Sequence, residues 1–61
     1  MIEITVNRNG AKNRMQMAHE FAKHPNFRLY RISEIIETMR SYERSGQLII
    51  TDETLTIIHY C

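Results

Sequence analysis

Four side chains in this sequence are soft enough to hold a transition metal: His19, His24, His59 and Cys61. His19 and His24 are five residues apart, about 140° around a helix, so they cannot share an ion from one face. His59 and Cys61 are two apart and share a face if extended, but a structural zinc takes four ligands. Cys61 ends the sequence, where geometry is hardest to fix, and nothing near it suggests the base or the lowered pKa that a thiol nucleophile needs. His59, Tyr60 and Arg31 are the residue types of a metal-free ribonuclease, although no spacing among them is diagnostic. Glu34 and Glu37 form a carboxylate pair, but at a helix start dipole compensation alone explains them. The expectation is a chain with no catalytic residue, no metal and no cofactor.

Size points the same way. Sixty-one residues leave no room for a nucleotide-binding doubly wound sheet, a barrel or a two-domain cleft. The composition, 43% hydrophobic and 25% charged, is that of a globular protein. Trp is absent, so the core must be built largely from Ile, Leu and Met. A single cysteine provides no internal disulfide, which leaves stability to the core, to dimerisation or to a partner. The longest apolar run, Leu48-Ile49-Ile50, is far short of the roughly 20 residues that cross a bilayer. With no continuous apolar stretch near Met1 to suggest a signal peptide, the expected location is the cytoplasm, with no membrane partner.

The formal net charge of +1 conceals an uneven distribution. Before Ile32 the basic residues are Arg8, Lys12, Arg14, Lys23, Arg28 and Arg31, against Glu3 and Glu20. From Ile32 onward Arg40 and Arg44 face Glu34, Glu37, Glu43, Asp52 and Glu53. Such asymmetry marks a nucleic-acid surface or an acidic partner, or it is neutralised across the fold. Phe27 and Tyr30 lie beside Arg28 and Arg31, an interleaving that can stack bases and hold phosphates or can anchor a loop to the core.

The elements that must position these groups follow from periodicity. Ile2, Ile4 and Val6 alternate with Glu3, Thr5 and Asn7, the pattern of a strand with one buried face. Asn9-Gly10 breaks it. Ala11 to Lys23 read as a helix with Ala11, Met15, Ala18 and Ala22 on its apolar face, Met17 and Phe21 beside them, and Pro25 as its stop. Residues 26–31 fit either a short strand or a loop. Ser33 is a suitable N-cap for a second helix carrying Ile32, Ile35, Ile36, Met39 and Tyr42 inward and ending at Gly46. Leu48–Thr51 and Leu55–Tyr60 are β in character. Between them, Thr51-Asp52-Glu53-Thr54 suits a four-residue loop, because Glu53 resists the positive φ of a tighter turn. The expected fold is a single α+β domain in the order β-α-α-β-β, a three-stranded antiparallel sheet with two helices on one face.

Within Ile32 to Tyr60, three stretches stand in a recognisable order. They are Ser33-Glu34-Ile35-Ile36-Glu37-Thr38-Met39-Arg40, then Ser45-Gly46-Gln47-Leu48-Ile49-Ile50, then Leu55-Thr56-Ile57. This segment resembles the end of winged helix-turn-helix DNA-binding domains, in which a recognition helix leads through a Gly-containing turn into a two-stranded wing. The resemblance implies DNA binding through the second helix. The leading strand is also reminiscent of ribbon-helix-helix dimers, with Glu3, Thr5 and Asn7 as the exposed face and Arg8 as a phosphate contact.

Two readings follow. The first is a non-enzymatic regulator binding nucleic acid through Lys12, Arg14, Arg28, Arg31, Arg40 and Arg44. The second is an inhibitor or adaptor of a cytosolic protein, acting through Glu34, Glu37, Thr38 and Ser41 or through a sheet edge. Either is compatible with a homodimer.

Overall fold

A computed structural model describes residues 1–59, so Tyr60 and Cys61, and with them the His59–Cys61 metal pair, lie outside the described residues. The order is β1 (Ile2–Asn7), α1 (Arg14–Ala22), a 3-10 turn (Pro25–Phe27), α2 (Ile32–Ser45), β2 (Leu48–Ile50) and β3 (Thr54–His59). The expected α+β fold with two helices against a three-stranded antiparallel sheet is present, and the strands run β1-β3-β2 across it. Ile4 pairs with Ile57 and Val6 with Leu55, while Leu48 pairs with Ile57 from the other side. One sheet face therefore presents Ile4, Leu55 and Ile57 to Met17, Ala18 and Phe21 of α1 and to Ile35 and Met39 of α2. Phe27 closes this core from the 3-10 turn, its ring edge-on to Phe21 at 5.8 Å.

The first helix starts later than its composition suggests. Asn13, not Ala11, is where it begins, because the Asn13 side chain accepts from the Gln16 N–H at 2.9 Å. Ahead of it, Asn9 and Gly10 both take left-handed φ, 52° and 75°, and the Ala11 N–H donates to the Arg8 carbonyl. That is a tight turn, with Asn9 one of the few non-glycine types that tolerate the conformation. The buried phase of α1 is set by Met17, Ala18 and Phe21, so Met15, expected on the apolar face, is 59% exposed.

Further along, Ser33 is not the cap of α2. The helix begins two residues earlier, after Arg31, whose backbone N–H is accepted by the Glu34 carboxylate at 2.9 Å. This lets Ile32 join the helix and pack against the core. Gly46 ends α2 in the left-handed conformation, φ 77°, as its position implied. Residues 26–31 are not a strand: Phe27 is the anchor, and Leu29 is 88% exposed.

The link between β2 and β3 is also tighter than the expected four-residue loop. The register continues to Thr51 opposite Thr54, joined by a backbone bond of 2.9 Å, which leaves only Asp52 and Glu53 between them. Neither has a positive φ. The Thr51 hydroxyl, instead of its carbonyl, accepts from the Thr54 and Glu53 N–H groups, so the strands close without the strained turn.

Two groups of polar contacts hold these loops in place. Arg8 donates from its backbone to Glu53, from Nε to the Ala11 carbonyl at 2.6 Å and from a guanidinium nitrogen to the Thr51 carbonyl at 2.9 Å. Its guanidinium is thus spent on the backbone, which removes it as the phosphate contact of a ribbon-like reading. Separately, the Asn9 side chain donates to Glu20 at 2.7 Å, and Lys23 donates to the same carboxylate at 3.2 Å. These bonds, Asn9 first, hold the Glu20 carboxyl below the ordinary glutamate range. A depressed carboxyl contributes stability that is complete above the ordinary glutamate pKa and is lost as pH falls through the lowered one. Asn9→Gly keeps the left-handed backbone and removes only the side chain. The Glu20 titration, followed by carboxyl-carbon NMR, should then move up toward the ordinary range. A midpoint unchanged from the parent would show that Asn9 does not hold it.

Candidate nucleic-acid interface

Arg14 opens α1 and Glu43 lies near the end of α2, and the two form an ion pair, so the helices run antiparallel. Both partners are about half exposed (45% and 50%), and such a pair contributes only about 0–1 kcal/mol. Its consequence is positional. It holds Arg14 in one shallow groove with Arg40 and Arg44, which are one helical turn apart on α2. The ion pairs among the described residues are Arg14–Glu43 and Lys23–Glu20, so Arg40 and Arg44 keep unpaired guanidiniums. Lys12, exposed two residues before Arg14, is on the same end of the helix pair, its backbone N–H held by Gln16 at 2.7 Å.

Arg28 and Arg31 are elsewhere. They belong to the connection at the start of α2, about 20 Å along the helix axis from Arg44. The six basic residues therefore form two groups: Lys12, Arg14, Arg40 and Arg44 at one end, and Arg28 and Arg31 at the other.

The four residues of the protein-binding reading divide as well. Glu37 and Ser41 line a groove with Arg40 and Arg44, so the acidic and basic candidates of α2 share one outward face. Glu34 is occupied in capping Arg31. The Thr38 hydroxyl donates to the Glu34 carbonyl at 2.9 Å, and its side chain faces a different cavity.

That cavity joins residues far apart in the chain. It is a cleft of about 290 Å³ whose floor is Ile4, Phe27 and Ile57 and whose walls carry Asn26, Tyr30, Thr38, Tyr42 and His59. The Tyr42 hydroxyl and the His59 Nδ1 are hydrogen-bonded. Tyr30, 47% exposed, stands edge-on to Phe27 with ring centroids 5.2 Å apart. Sequence reasoning noticed Phe27 and Tyr30 but not their meeting with Tyr42 and His59, because no local pattern links residues 27, 42 and 59.

The histidines have individual places. His24 caps the 3-10 turn, its Nδ1 accepting from the Asn26 N–H at 3.2 Å, and His19 is exposed on α1. Among the described residues, no three of His, Cys, Asp and Glu are grouped to hold a metal ion. No helix among them is long and apolar enough to cross a membrane. No known protein family, curated protein or solved structure matches the chain.

Proposed function

We propose that this chain is a non-enzymatic regulator that binds nucleic acid, with Lys12, Arg14, Arg40 and Arg44 as its main phosphate contacts. The observation that carries the reading is the convergence of Arg14, Arg40 and Arg44 on one groove from two helices, with Arg40 and Arg44 in no ion pair among the described residues. Guanidiniums placed in this way meet phosphate oxygens with directed donors. The passage from α2 through Gly46 into the β2–β3 hairpin is what the winged-helix resemblance implies, and it supports α2 as the element that approaches DNA. Ser41, beside the arginines, would then touch base edges, while the Glu37 carboxylate beside it opposes phosphate. Arg28 and Arg31 form a secondary contact.

The test is binding to random duplex and single-stranded DNA and RNA over a salt series. The expected result is micromolar affinity that falls steeply between about 50 and 200 mM salt. Absence of binding even at the lowest salt would remove the proposal.

One feature favours a second reading, a protein-binding inhibitor or adaptor. β1 is an edge strand, bonded on one side to β3. Because Arg8 pairs with Glu53, the alternation of an antiparallel ladder turns the backbone groups of Glu3, Thr5 and Asn7 toward the open edge. A partner strand, from another protein or a second copy, would find them available.

A further inference from the structure

The cleft between α2, the 3-10 turn and the end of the sheet has the chemistry of a site for a single flat ring. Its floor of Ile4, Phe27 and Ile57 is apolar. Among the described residues, no acidic, Lys or Arg side chain lines it. Its polar groups are the Asn26 amide, the tyrosine and threonine hydroxyls and the His59 imidazole, which together offer both donors and acceptors. The Asn26 side chain and the Tyr30 hydroxyl make no hydrogen bond among the described residues, so both are available to a ligand. The Thr38 and Tyr42 hydroxyls are instead held in place, by the Glu34 carbonyl and by His59.

Size narrows the choice. At about 290 Å³ the cleft is at or below the lower bound of sites for drug-sized ligands, about 300–1,000 Å³, and suits one ring system. An uncharged lining with an apolar floor disfavours an ion. Edge donors and acceptors around aromatic walls favour a planar ring that carries both on its own rim. Purines and pyrimidines have that character, and base–aromatic stacking is a recurrent source of affinity.

We infer that this cleft binds a single nucleobase, stacked against Tyr30 with its edge toward Asn26. Arg28 and Arg31 flank Tyr30 in the connecting segment and would supply the charge for a phosphate carried on the sugar of that nucleotide. The base comes either from a free nucleoside or nucleotide, or from an unpaired position in a strand. The inference deepens the nucleic-acid reading, but it depends on neither Arg40 nor Arg44.

The experiment titrates the full ¹⁵N-labelled chain with adenosine, guanosine, cytidine and uridine. At least one should give saturable amide shifts at Asn26, Tyr30, Thr38 and Tyr42, with a dissociation constant on the order of 1 mM or tighter. Tyr30→Ala should weaken that binding about tenfold, whereas Tyr30→Phe, which keeps the ring, should weaken it less than about threefold. Asn26→Ala alters an exposed side chain and provides a second loss-of-binding variant should Tyr30→Ala prove unfolded. Saturable shifts with none of the four nucleosides, or shifts confined to other residues, would overturn the inference. So would unchanged affinity in a folded Tyr30→Ala or in Asn26→Ala.

A second arm compares an oligonucleotide with an abasic strand of equal length. Tighter binding of the base-bearing strand, lost in Tyr30→Ala, assigns the base to a strand. Nucleoside binding with both strands equal assigns it to the free ligand. Nucleoside shifts without any salt-sensitive strand binding would refute the phosphate-contact reading while leaving the cleft assignment standing.

Discussion

Reversing Arg40 and Arg44 together to Glu is expected to lower affinity for DNA at low salt by about a hundredfold or more. Each replacement removes one phosphate contact and places a carboxylate where a guanidinium stood. The salt dependence is the more specific readout. Every phosphate contact contributes about 0.9 to the slope of log affinity against log salt, so the double variant should lose close to two units of slope. Both residues are exposed and form no ion pair among the described residues, so the exchange leaves the core untouched. The same exchange at Arg28 and Arg31 should cost much less, because those two lie at the far end of α2. Equal losses from the two pairs, or an unchanged slope in the Arg40/Arg44 variant, would refute the grouping proposed for the interface.

Glu37 provides the reciprocal measurement. It shares the outward face of α2 with Arg40, Ser41 and Arg44, so Glu37→Lys adds a cation to a phosphate-binding surface and removes an anion from a protein-binding one. Stronger nucleic-acid binding in this variant supports the first reading, and weaker binding opposes it. Glu34 cannot serve the same purpose. Its carboxylate accepts the Arg31 N–H at the start of α2, and replacing it by Lys would damage the helix whatever the chain binds.

What was legible in the sequence was whatever rests on local periodicity. The spacing of Ile32, Ile35, Ile36, Met39 and Tyr42 needs no tertiary information to define the inner face of α2, and Gly46 needs only its left-handed φ to end it. The alternation in β1 and the β-branched tail likewise determined three strands. Where a side chain substitutes for backbone, the local rules ran out. Thr51 closes the β2–β3 link with its hydroxyl, Glu34 caps α2 in place of Ser33, and Asn13 delays α1 so that Met17 points inward and Met15 does not. The interface was legible as a set of charges but not as a surface. The length of α2 separates Arg28 and Arg31 from Arg44, and only the antiparallel packing of the helices brings Arg14 beside Arg40 and Arg44. The cleft was least legible of all, because residues 4, 27, 42 and 59 meet only once the sheet, turn and helix are assembled.

The second large effect is on folding itself. Phe21→Ala is expected to leave the chain largely unfolded at 37 °C. Phe21 is fully buried, touches the Phe27 ring edge-on, and lies in the cluster that joins both helices to the sheet. Truncating a buried Phe costs about 3–5 kcal/mol, a sum of lost transfer energy and the cavity left behind. Chains of 61 residues, at about 0.05–0.15 kcal/mol per residue, hold roughly 3–9 kcal/mol in all. The loss therefore takes from about a third of the total to all of it, with no internal disulfide to hold the collapsed state. At roughly 4–8 °C per kcal/mol for a domain of this size, a variant that still folds should melt at least about 12 °C lower. Met15→Ala, on the same helix but with its side chain mostly in solvent, should shift the melt only slightly. Circular dichroism melts of the two variants beside the parent separate them directly. Similar melting of Phe21→Ala and Met15→Ala would mean that the phase of α1 is wrong. With it would fall the placement of Arg14 against Glu43 and the groove that Arg14 shares with Arg40 and Arg44, since both depend on which face of α1 is turned to the core.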